Sequence, residues 1–285
     1  MSRILDRHWR LSHLYWFKPK EGGWKTFRPR KEQQERYDRV YAKIADRERH
    51  FEIELKSRKF GTTTGCCFLC LDNVAYRKNI EAVTMAHEQK KATEIFNNIV
   101  RPAWKRINPR LKARERYNNR TEIDLMDSLH SKYIVSCDLK GTTPDILHIT
   151  EAAYFTSDEL LKEAINALPP HGICIVESTA HGMGNFFEQT FMDAWTAHLA
   201  GRDTQWLPIF NPWFTDPTNR VPSINGLTLR YESEAKELQA KYGLSDEQMY
   251  CRNGSRMVQL WLSRICGSSN CGISTIRSAR STPRP

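Results

Sequence analysis

The chain has 285 residues, of which 40% are hydrophobic, and its formal net charge at neutral pH is +10. This length allows one large domain or two modest ones, and the apolar content is enough for a packed core, so wholesale disorder is excluded. The chain has no apolar run near the ~20 residues that a membrane-spanning helix needs, and its N-terminus lacks the apolar segment of a secretory signal. We therefore expect a protein without membrane contact.

Helices and strands alternate along most of the sequence. Residues 1–30 form an aromatic-rich N-terminal segment that is predicted to be loop-like, because Pro and Gly interrupt it. Residues 31–250 form the predicted main domain. Its strands are predicted at Phe51–Leu55, Ala82–Met85, Glu122–Met126, Lys132–Cys137, Ile146–Ile149, Ile173–Val176 and Trp206–Phe210, and its longest helices at Lys31–His50, Glu88–Trp104 and Asn185–Leu199. Strands separated by helix-length segments are typical of an α/β fold with a mostly parallel central sheet flanked by helices.

The composition changes after Tyr250. Residues 251–285 contain six Arg and three Cys but no Asp, Glu or Lys, and they show neither helical nor strand periodicity. One interpretation is a disordered, Ser/Arg-rich tail. The other is a slip of the reading frame that replaced the natural continuation, which we favour because disordered tails rarely combine several Cys with a Trp.

Three cysteines, Cys66, Cys67 and Cys70, cluster within an apolar run. A zinc site would need a second pair of ligands at matching spacing, and the sequence offers none. We therefore predict buried, reduced thiols.

A first candidate site is the strand-to-helix connection Lys56–Thr64. A tight turn at Gly61 before a helix presents backbone N–H groups that can bind a phosphate. The hydroxyl of Thr63, with Thr64 beside it, can ligate the Mg²⁺ that bridges the β- and γ-phosphates of a nucleotide. Thr62 stands where the standard pattern has Lys, and the upstream residues Lys56, Arg58 and Lys59 supply positive charge instead. An ordinary turn with basic surface residues is the alternative.

Two further strands end in polar residues. Ile146–Ile149 runs into Thr150 and Glu151, and this glutamate is suited to polarise the water that attacks a γ-phosphate. Ile173–Val176 runs into a turn containing Ser178 and Thr179, which is suited to sense that phosphate. Taken alone, Glu151 is also explicable as a charge at the N-terminus of a helix, and the turn after Val176 as a glycine-containing strand–helix connection. Together, three such turns on one edge of a parallel sheet predict a nucleotide site.

These motifs resemble the ATPase half of the large terminase subunit of tailed bacteriophages. The resemblance covers roughly residues 30–250, and it is carried, in order, by four blocks: KSRKFGTTT from Lys56, LHITEAAY from Leu147, ESTAHGMGNFF from Glu177 and PIFNPWF from Pro208. It implies a P-loop NTPase-like ATPase that uses ATP and Mg²⁺ to move double-stranded DNA through a portal into an empty prohead. It also implies a portal protein and a small terminase subunit as partners, a homo-oligomeric ring, and the bacterial host cytoplasm as location.

The same resemblance implies roles for single residues. Arg58, Gly61, Thr62, Thr63 and Thr64 fall on the phosphate loop, with Lys56 and Lys59 as candidates to replace its missing Lys. Glu151 falls on the catalytic glutamate, and Ser178 and Thr179 fall on the coupling motif. An adenine-contacting glutamine of the family corresponds to Gln33 or Gln34; an exposed helix face explains this pair equally well.

The sequence departs from the family in two places. Thr150 stands where the family has a metal-associated Asp. The Ser/Arg-rich segment stands where a nuclease domain should begin, so nuclease activity is not expected of this chain. Besides the packaging motor, two alternatives stay open: a helicase-like DNA-dependent ATPase, and an inactive prophage remnant that at most binds portal or small-terminase partners.

A basic stretch in the middle of the chain is a weaker candidate for DNA contact. It comprises Arg110, Lys112, Arg114, Arg116 and Arg120. Such residues can contact the phosphates of a duplex without reading its sequence. A solvated loop, with Glu115 and Glu122 interspersed, is the alternative.

Overall fold

The computed structural model of the chain describes residues 3–19, 22–126, 130–139, 141–216, 239–240 and 243–251. Contacts divide it into two compact units. The first comprises Met1–Glu52 and Gly61–Glu177, and the second comprises Ile53–Phe60 and Ser178–Pro285. Apart from Cys251, the predicted tail lies outside the described residues.

The described part contains eight α-helices and ten strands. The helices are α1 (Arg7–His13), α2 (Lys31–Asp46), α3 (Thr62–Tyr76), α4 (Gln89–Ile95), α5 (Arg101–Arg106), α6 (Asp158–Asn166), α7 (Phe186–Leu199) and α8 (Asp246–Cys251). The strands are β1 (Trp16–Phe17), β2 (Lys25–Thr26), β3 (His50–Lys56), β4 (Glu81–Met85), β5 (Glu115–Asn118), β6 (Glu122–Leu125), β7 (Lys132–Ser136), β8 (Ile146–Thr150), β9 (Ile173–Ser178) and β10 (Trp206–Asn211).

The sheet of the first unit is mostly parallel, as predicted. Its strands lie in the order β9-β8-β4-β7-β6-β5. The pairs β9–β8, β8–β4 and β4–β7 are parallel, whereas β6 runs antiparallel to both β7 and β5. The last registered pair of β8 and β9 joins Thr150 to Glu177, so these two residues lie side by side where both strands end. This edge of the sheet is where ligands bind in α/β folds.

Helix α3 is the central helix of the first unit. Its residues from Gly65 to Ala75 are all buried, as expected of a helix that is apolar on every side. The thiols of Cys66, Cys67 and Cys70 are free and buried, which confirms the prediction made from their apolar surroundings. Burial raises the pKa of Cys67 to about 12, so this thiol stays protonated and unreactive.

The N-terminal segment is more ordered than the loop-like prediction. Asp6 caps α1 by accepting hydrogen bonds from the backbone N–H groups of His8 and Trp9, and β1 and β2 form an antiparallel pair. The segment is fixed to α3 by buried Asp72, which accepts hydrogen bonds from Arg10 Nε at 2.9 Å and from the Tyr15 hydroxyl at 2.8 Å. Two of its aromatic residues, Tyr15 and Phe27, are buried in the core of the first unit.

The second unit contains the greater part of β3, with β10 as its hydrogen-bonded neighbour in the sheet. Asn211 Nδ2 donates to the buried Glu54 Oε1 at 2.6 Å, and the Asn211 carbonyl accepts from Ser57 N at 2.9 Å. Helix α7 packs on β10, with Trp195 against Phe210 edge to face. None of the described helices is long and apolar enough to cross a bilayer.

Candidate functional site

The beginning of α3 provides the first element of the site. Gly61 precedes the helix with φ +88°, a left-handed conformation that glycine adopts without steric cost. Gly61 has no side chain with which to cap this helix end, and Thr62, Thr63 and Thr64 form its first turn. Backbone N–H groups at such a helix start have no acceptor within the helix, and together with the helix dipole they favour an anion.

The turn at Gly61 is held by Gln33 from α2. Gln33 Nε2 donates to the Gly61 carbonyl at 2.9 Å, and its Oε1 accepts from Arg30 N at 2.9 Å. The neighbouring Gln34 instead directs its amide to His8 Nδ1 at 2.6 Å. Of the two glutamines that the sequence singled out, only Gln33 makes a hydrogen bond to the predicted phosphate loop. An adenine contact by either one stays a prediction.

Thr63 connects the helix start to the ends of two strands. Its Oγ1 donates to Glu177 Oε1 at 2.7 Å and lies 3.2 Å from Thr150 Oγ1. Thr150 Oγ1 also donates to Glu177 Oε1, at 2.6 Å. Thr150 and Glu177 are buried, and Thr63 is half-buried. The first unit thus brings together a hydroxyl from the predicted phosphate loop, the residue in the Asp position, and a carboxylate from the adjoining strand.

A buried polar layer lies beneath this cluster. His148, on β8, places Nε2 3.5 Å from Glu177 Oε1 and Nδ1 3.2 Å from Thr84 Oγ1. Thr84 in turn lies 2.7 Å from the Tyr133 hydroxyl, so polar side chains from β8, β4 and β7 are linked in series. Burial raises the pKa of Tyr133 well above its usual value, which keeps this hydroxyl neutral. Such a network fixes the orientation of the groups that it contacts.

Glu151 lies immediately after β8 with an unusual backbone. Its φ is +54°, which is costly for a residue with a side chain. Its side chain is 43% exposed, and its Oε2 lies 3.8 Å from His87 Nδ1, on the connection after β4. The carboxylate is therefore accessible to water at the carboxyl edge of the sheet, and its catalytic role stays a prediction.

The remaining predicted site residues belong to the second unit. Lys56 is the last residue of β3 and is buried, whereas Arg58 and Lys59 are exposed, Lys59 with φ +65°. Ser178 and Thr179 are buried, and the Ser178 hydroxyl donates to the Thr179 carbonyl at 2.9 Å. The roles of these residues stay predictions.

Sequence reasoning missed Glu177 as a site residue. The available signal was a charged residue inside the apolar run of β9, where an unpaired carboxylate would be costly. Among the described residues, no group of three or more His, Cys, Asp or Glu side chains could by itself hold a metal ion. One carboxylate and hydroxyls do suit Mg²⁺, which is commonly held by one or two carboxylates, water and the phosphates of a nucleotide.

Comparison with known proteins identifies the fold. No family model and no curated protein matches the sequence. The chain is similar to the crystal structure of the HK97 bacteriophage large terminase, with a TM-score of 0.59 and 15% identity, over 93% of this chain and 54% of that one. It is also similar to the ATPase domain of the Thermus phage P74-26 large terminase, with a TM-score of 0.50 and 14% identity, over 79% and 94% of the two chains.

The chain spans about half the length of the HK97 protein. At identities this low, the likeness shows the fold and not the activity. The resemblance that the motifs indicated is confirmed at that level: the chain has the fold of the ATPase domain of phage large terminases.

Proposed function

We propose that the chain is the ATP-hydrolysing motor domain of a phage terminase large subunit, which drives double-stranded DNA into a prohead. The observation that carries this proposal is the contact of Thr63, in the first turn of α3, with Thr150 and Glu177 at the ends of β8 and β9. An ordinary strand–helix turn has no need of a buried carboxylate that accepts its hydroxyl. A nucleotide site does, because a hydroxyl that ligates Mg²⁺ must direct its proton elsewhere.

In this proposal the phosphates bind at the start of α3. The backbone N–H groups of Gly61–Thr64 donate to the phosphate oxygens. Thr63 and water hold Mg²⁺, which neutralises the charge on the β- and γ-phosphates when it is bound. The positive charge that a Lys in the position of Thr62 would provide comes from Lys56, Arg58 and Lys59. Gln33 keeps the turn in place, and Gln33 and Gln34 are the candidates for adenine contact.

Glu151 is the proposed catalytic residue. Its exposed carboxylate orients a water molecule and takes up its proton as the oxygen attacks the γ-phosphorus, while the bond to the β-phosphate oxygen breaks and ADP leaves. Ser178 and Thr179 respond to the loss of that phosphate and pass the change to a DNA-contacting surface. The partners proposed are duplex DNA, a portal protein, a small terminase subunit and further copies of the chain in a ring, within the host cytoplasm.

The test is ATP hydrolysis with and without duplex DNA, in the wild type and in Glu151→Gln. The variant should bind ATP as the wild type does and lose about 10²–10⁴-fold in turnover. Glu88→Gln is the matched control, since Glu88 is also exposed and lies 3.9 Å from the other nitrogen of His87. DNA-stimulated hydrolysis retained by Glu151→Gln would contradict the assignment.

The same preparation separates the alternatives. A wild-type chain that binds ATP without hydrolysing it would favour an inactive remnant. Strand separation by the chain would favour a helicase-like ATPase, because a packaging motor moves intact duplex.

A further inference from the structure

We propose that Glu177 is the positioning carboxylate of the cation site, and that it does from β9 what an aspartate in the position of Thr150 would do from β8. This inference rests on the proposed function. It assigns a role to a residue to which neither the motifs nor the comparisons give one, and it answers how this chain can hold Mg²⁺ with Thr150 in the acidic position.

The first argument is geometric. Thr150 and Glu177 are registered partners on adjacent parallel strands, so both side chains start from the same level of the sheet. Neighbouring strands are about 4.8 Å apart, and Thr63 contacts the ends of both, since its Oγ1 also lies 3.2 Å from Thr150 Oγ1. A glutamate is one methylene longer than an aspartate, and Glu177 Oε1 does reach Thr63 Oγ1 at 2.7 Å.

The second argument concerns protons. Thr63 and Thr150 both donate to the same atom, Glu177 Oε1. A hydroxyl has one proton and two lone pairs, so a Thr63 whose proton is committed to Glu177 has lone pairs left for a cation. Thr150 cannot accept that proton as firmly as a charged carboxylate does, since hydrogen bonds to ionised acceptors are roughly twice as strong. Thr150 is therefore a further hydrogen-bond donor to Glu177, and Glu177 is the group that orients the Thr63 hydroxyl.

The third argument is burial. Glu177 is fully buried, and burying a carboxylate is costly unless it is hydrogen-bonded and its charge is compensated. His148 Nε2 lies 3.5 Å from Glu177 Oε1, and a cation bound to the Thr63 hydroxyl would bring positive charge close to the same oxygen. The arrangement is then one in which Mg²⁺ and the carboxylate stabilise each other, with Glu177 acting through Thr63.

The experiment measures cation dependence of nucleotide binding and not hydrolysis. A fluorescent ATP analogue is titrated onto the full chain in EDTA and at increasing Mg²⁺, and Mn²⁺ binding is followed by its electron paramagnetic resonance signal. We call the Mg²⁺ concentration that gives half-maximal binding of the ATP analogue the Mg²⁺ midpoint. In Glu177→Gln this midpoint should rise about 10–100-fold, as expected on loss of a partner that orients a metal ligand. Binding of the analogue in EDTA should stay unchanged. If Glu177 had only a structural role, Glu177→Gln would change both the binding in EDTA and the Mg²⁺ midpoint, or it would change neither.

A second variant moves the carboxylate back to the neighbouring strand. Thr150→Asp/Glu177→Gln should restore the Mg²⁺ midpoint to within about threefold of the wild type, since outer-shell charge sets this affinity. Glu81→Gln is the matched control. Glu81 is the first residue of β4, at the end of the strand away from the site, and it pairs there with Lys132 at 3.1 Å. Thermal unfolding shows whether each variant is folded.

The outcomes are distinct. Wild-type binding that does not depend on Mg²⁺ would reject the proposed nucleotide site itself. A folded Glu177→Gln with the wild-type Mg²⁺ midpoint would reject only the role of Glu177. Should Glu177→Gln not fold, the double variant decides: Mg²⁺-dependent binding supports the proposal, and its loss overturns it.

Discussion

Gln33 Nε2 donates to the carbonyl of Gly61 at 2.9 Å, and through this bond α2 fixes the turn that begins α3. The glutamine is buried, and its Oε1 is also engaged, by the backbone of Arg30. Gly61 has φ +88°, and because glycine has access to many conformations, the bond helps to hold this one. The position of the predicted phosphate loop therefore depends on a side chain 28 residues upstream.

Removing this side chain should weaken nucleotide binding. Gln33→Ala loses a hydrogen bond worth about 1 kcal/mol and leaves the Gly61 carbonyl without it, so we expect about a fivefold to tenfold lower affinity for a fluorescent ATP analogue. Lys31→Ala is the control, since Lys31 is exposed on the same helix and pairs with Glu35 at 3.8 Å. A loss of affinity in Gln34→Ala, whose side chain contacts His8, would assign the adenine contact to Gln34. Wild-type affinity in Gln33→Ala would mean that the turn is held without Gln33.

Two glycines near Gln33 should respond differently to alanine. A Cβ on Gly65 would lie 3.0 Å from Gln33 Nε2, so Gly65→Ala should cost about 1–3 kcal/mol of unfolding free energy through crowding. Adding Gln33→Ala removes the crowding atoms and should recover most of that loss. Gly61→Ala should cost about 1–2 kcal/mol, chiefly through its left-handed backbone, so Gln33→Ala should recover less of that loss, although a Cβ on Gly61 would also lie 3.3 Å from Gln33 Nε2. Urea unfolding of the four variants tests this, and equal recovery at both glycines would contradict it.

The sequence predicted most elements of the fold because their apolar periodicity is strong. Strands β4, β8, β9 and β10 lie within two residues of their predicted ends. Helix α2 ends at Asp46, four residues early, because Arg47 adopts a left-handed conformation that no glycine signalled. The predicted helix Glu88–Trp104 is instead α4 and α5 joined by a π-helical turn at Phe96–Val100.

What the sequence could not predict depends on polar residues and on distant contacts. Strand β5 has no apolar alternation, since its residues are Glu, Arg, Tyr and Asn, and it was interpreted as part of a basic stretch. The bond between Thr63 and Glu177 joins residues 114 positions apart and requires the register of β8 with β9. Neither composition nor spacing contains that register, which is why Glu151 was proposed from sequence and Glu177 was not.

A buried ion cluster should make the first unit sensitive to acid. Glu52 accepts hydrogen bonds from Arg36 Nε at 2.6 Å and Arg39 Nε at 3.0 Å, and His50 lies 2.9 Å away. Burial opposes its ionisation, but these positive partners hold the pKa of Glu52 well below 4.5. Its stabilising contribution is therefore complete above about pH 4.5 and is lost as the pH falls through the lower folded pKa.

Glu52→Gln should accordingly cost about 3–5 kcal/mol at pH 7, because buried Arg36 loses its charged partner. The difference between variant and wild type should shrink below about pH 4.5, where the carboxylate of the unfolded wild type takes up a proton while that of the folded protein is still ionised. Urea unfolding at a series of pH values measures both effects. Glu48→Gln, which removes an exposed ion pair with Lys43, is the control and should leave stability unchanged. A difference between Glu52→Gln and wild type that persists undiminished at pH 3 would contradict this account.

The hairpin of β5 and β6 offers a test of DNA contact. It lies at the edge of the first unit's sheet, and Arg116 and Arg120 are exposed there, although Arg116 lies 3.7 Å from Asp124. If both arginines contact DNA phosphates, Arg116→Ala/Arg120→Ala should weaken duplex binding equally for all sequences. It should also reduce the slope of log affinity against log salt by about 1.8, or about 0.9 for each phosphate contact. Lys25→Ala/Lys78→Ala removes two exposed charges elsewhere on the first unit and should leave that slope as it is. An unchanged slope in the arginine variant would mean that the hairpin is a solvated edge of the sheet, and that DNA is contacted by another surface.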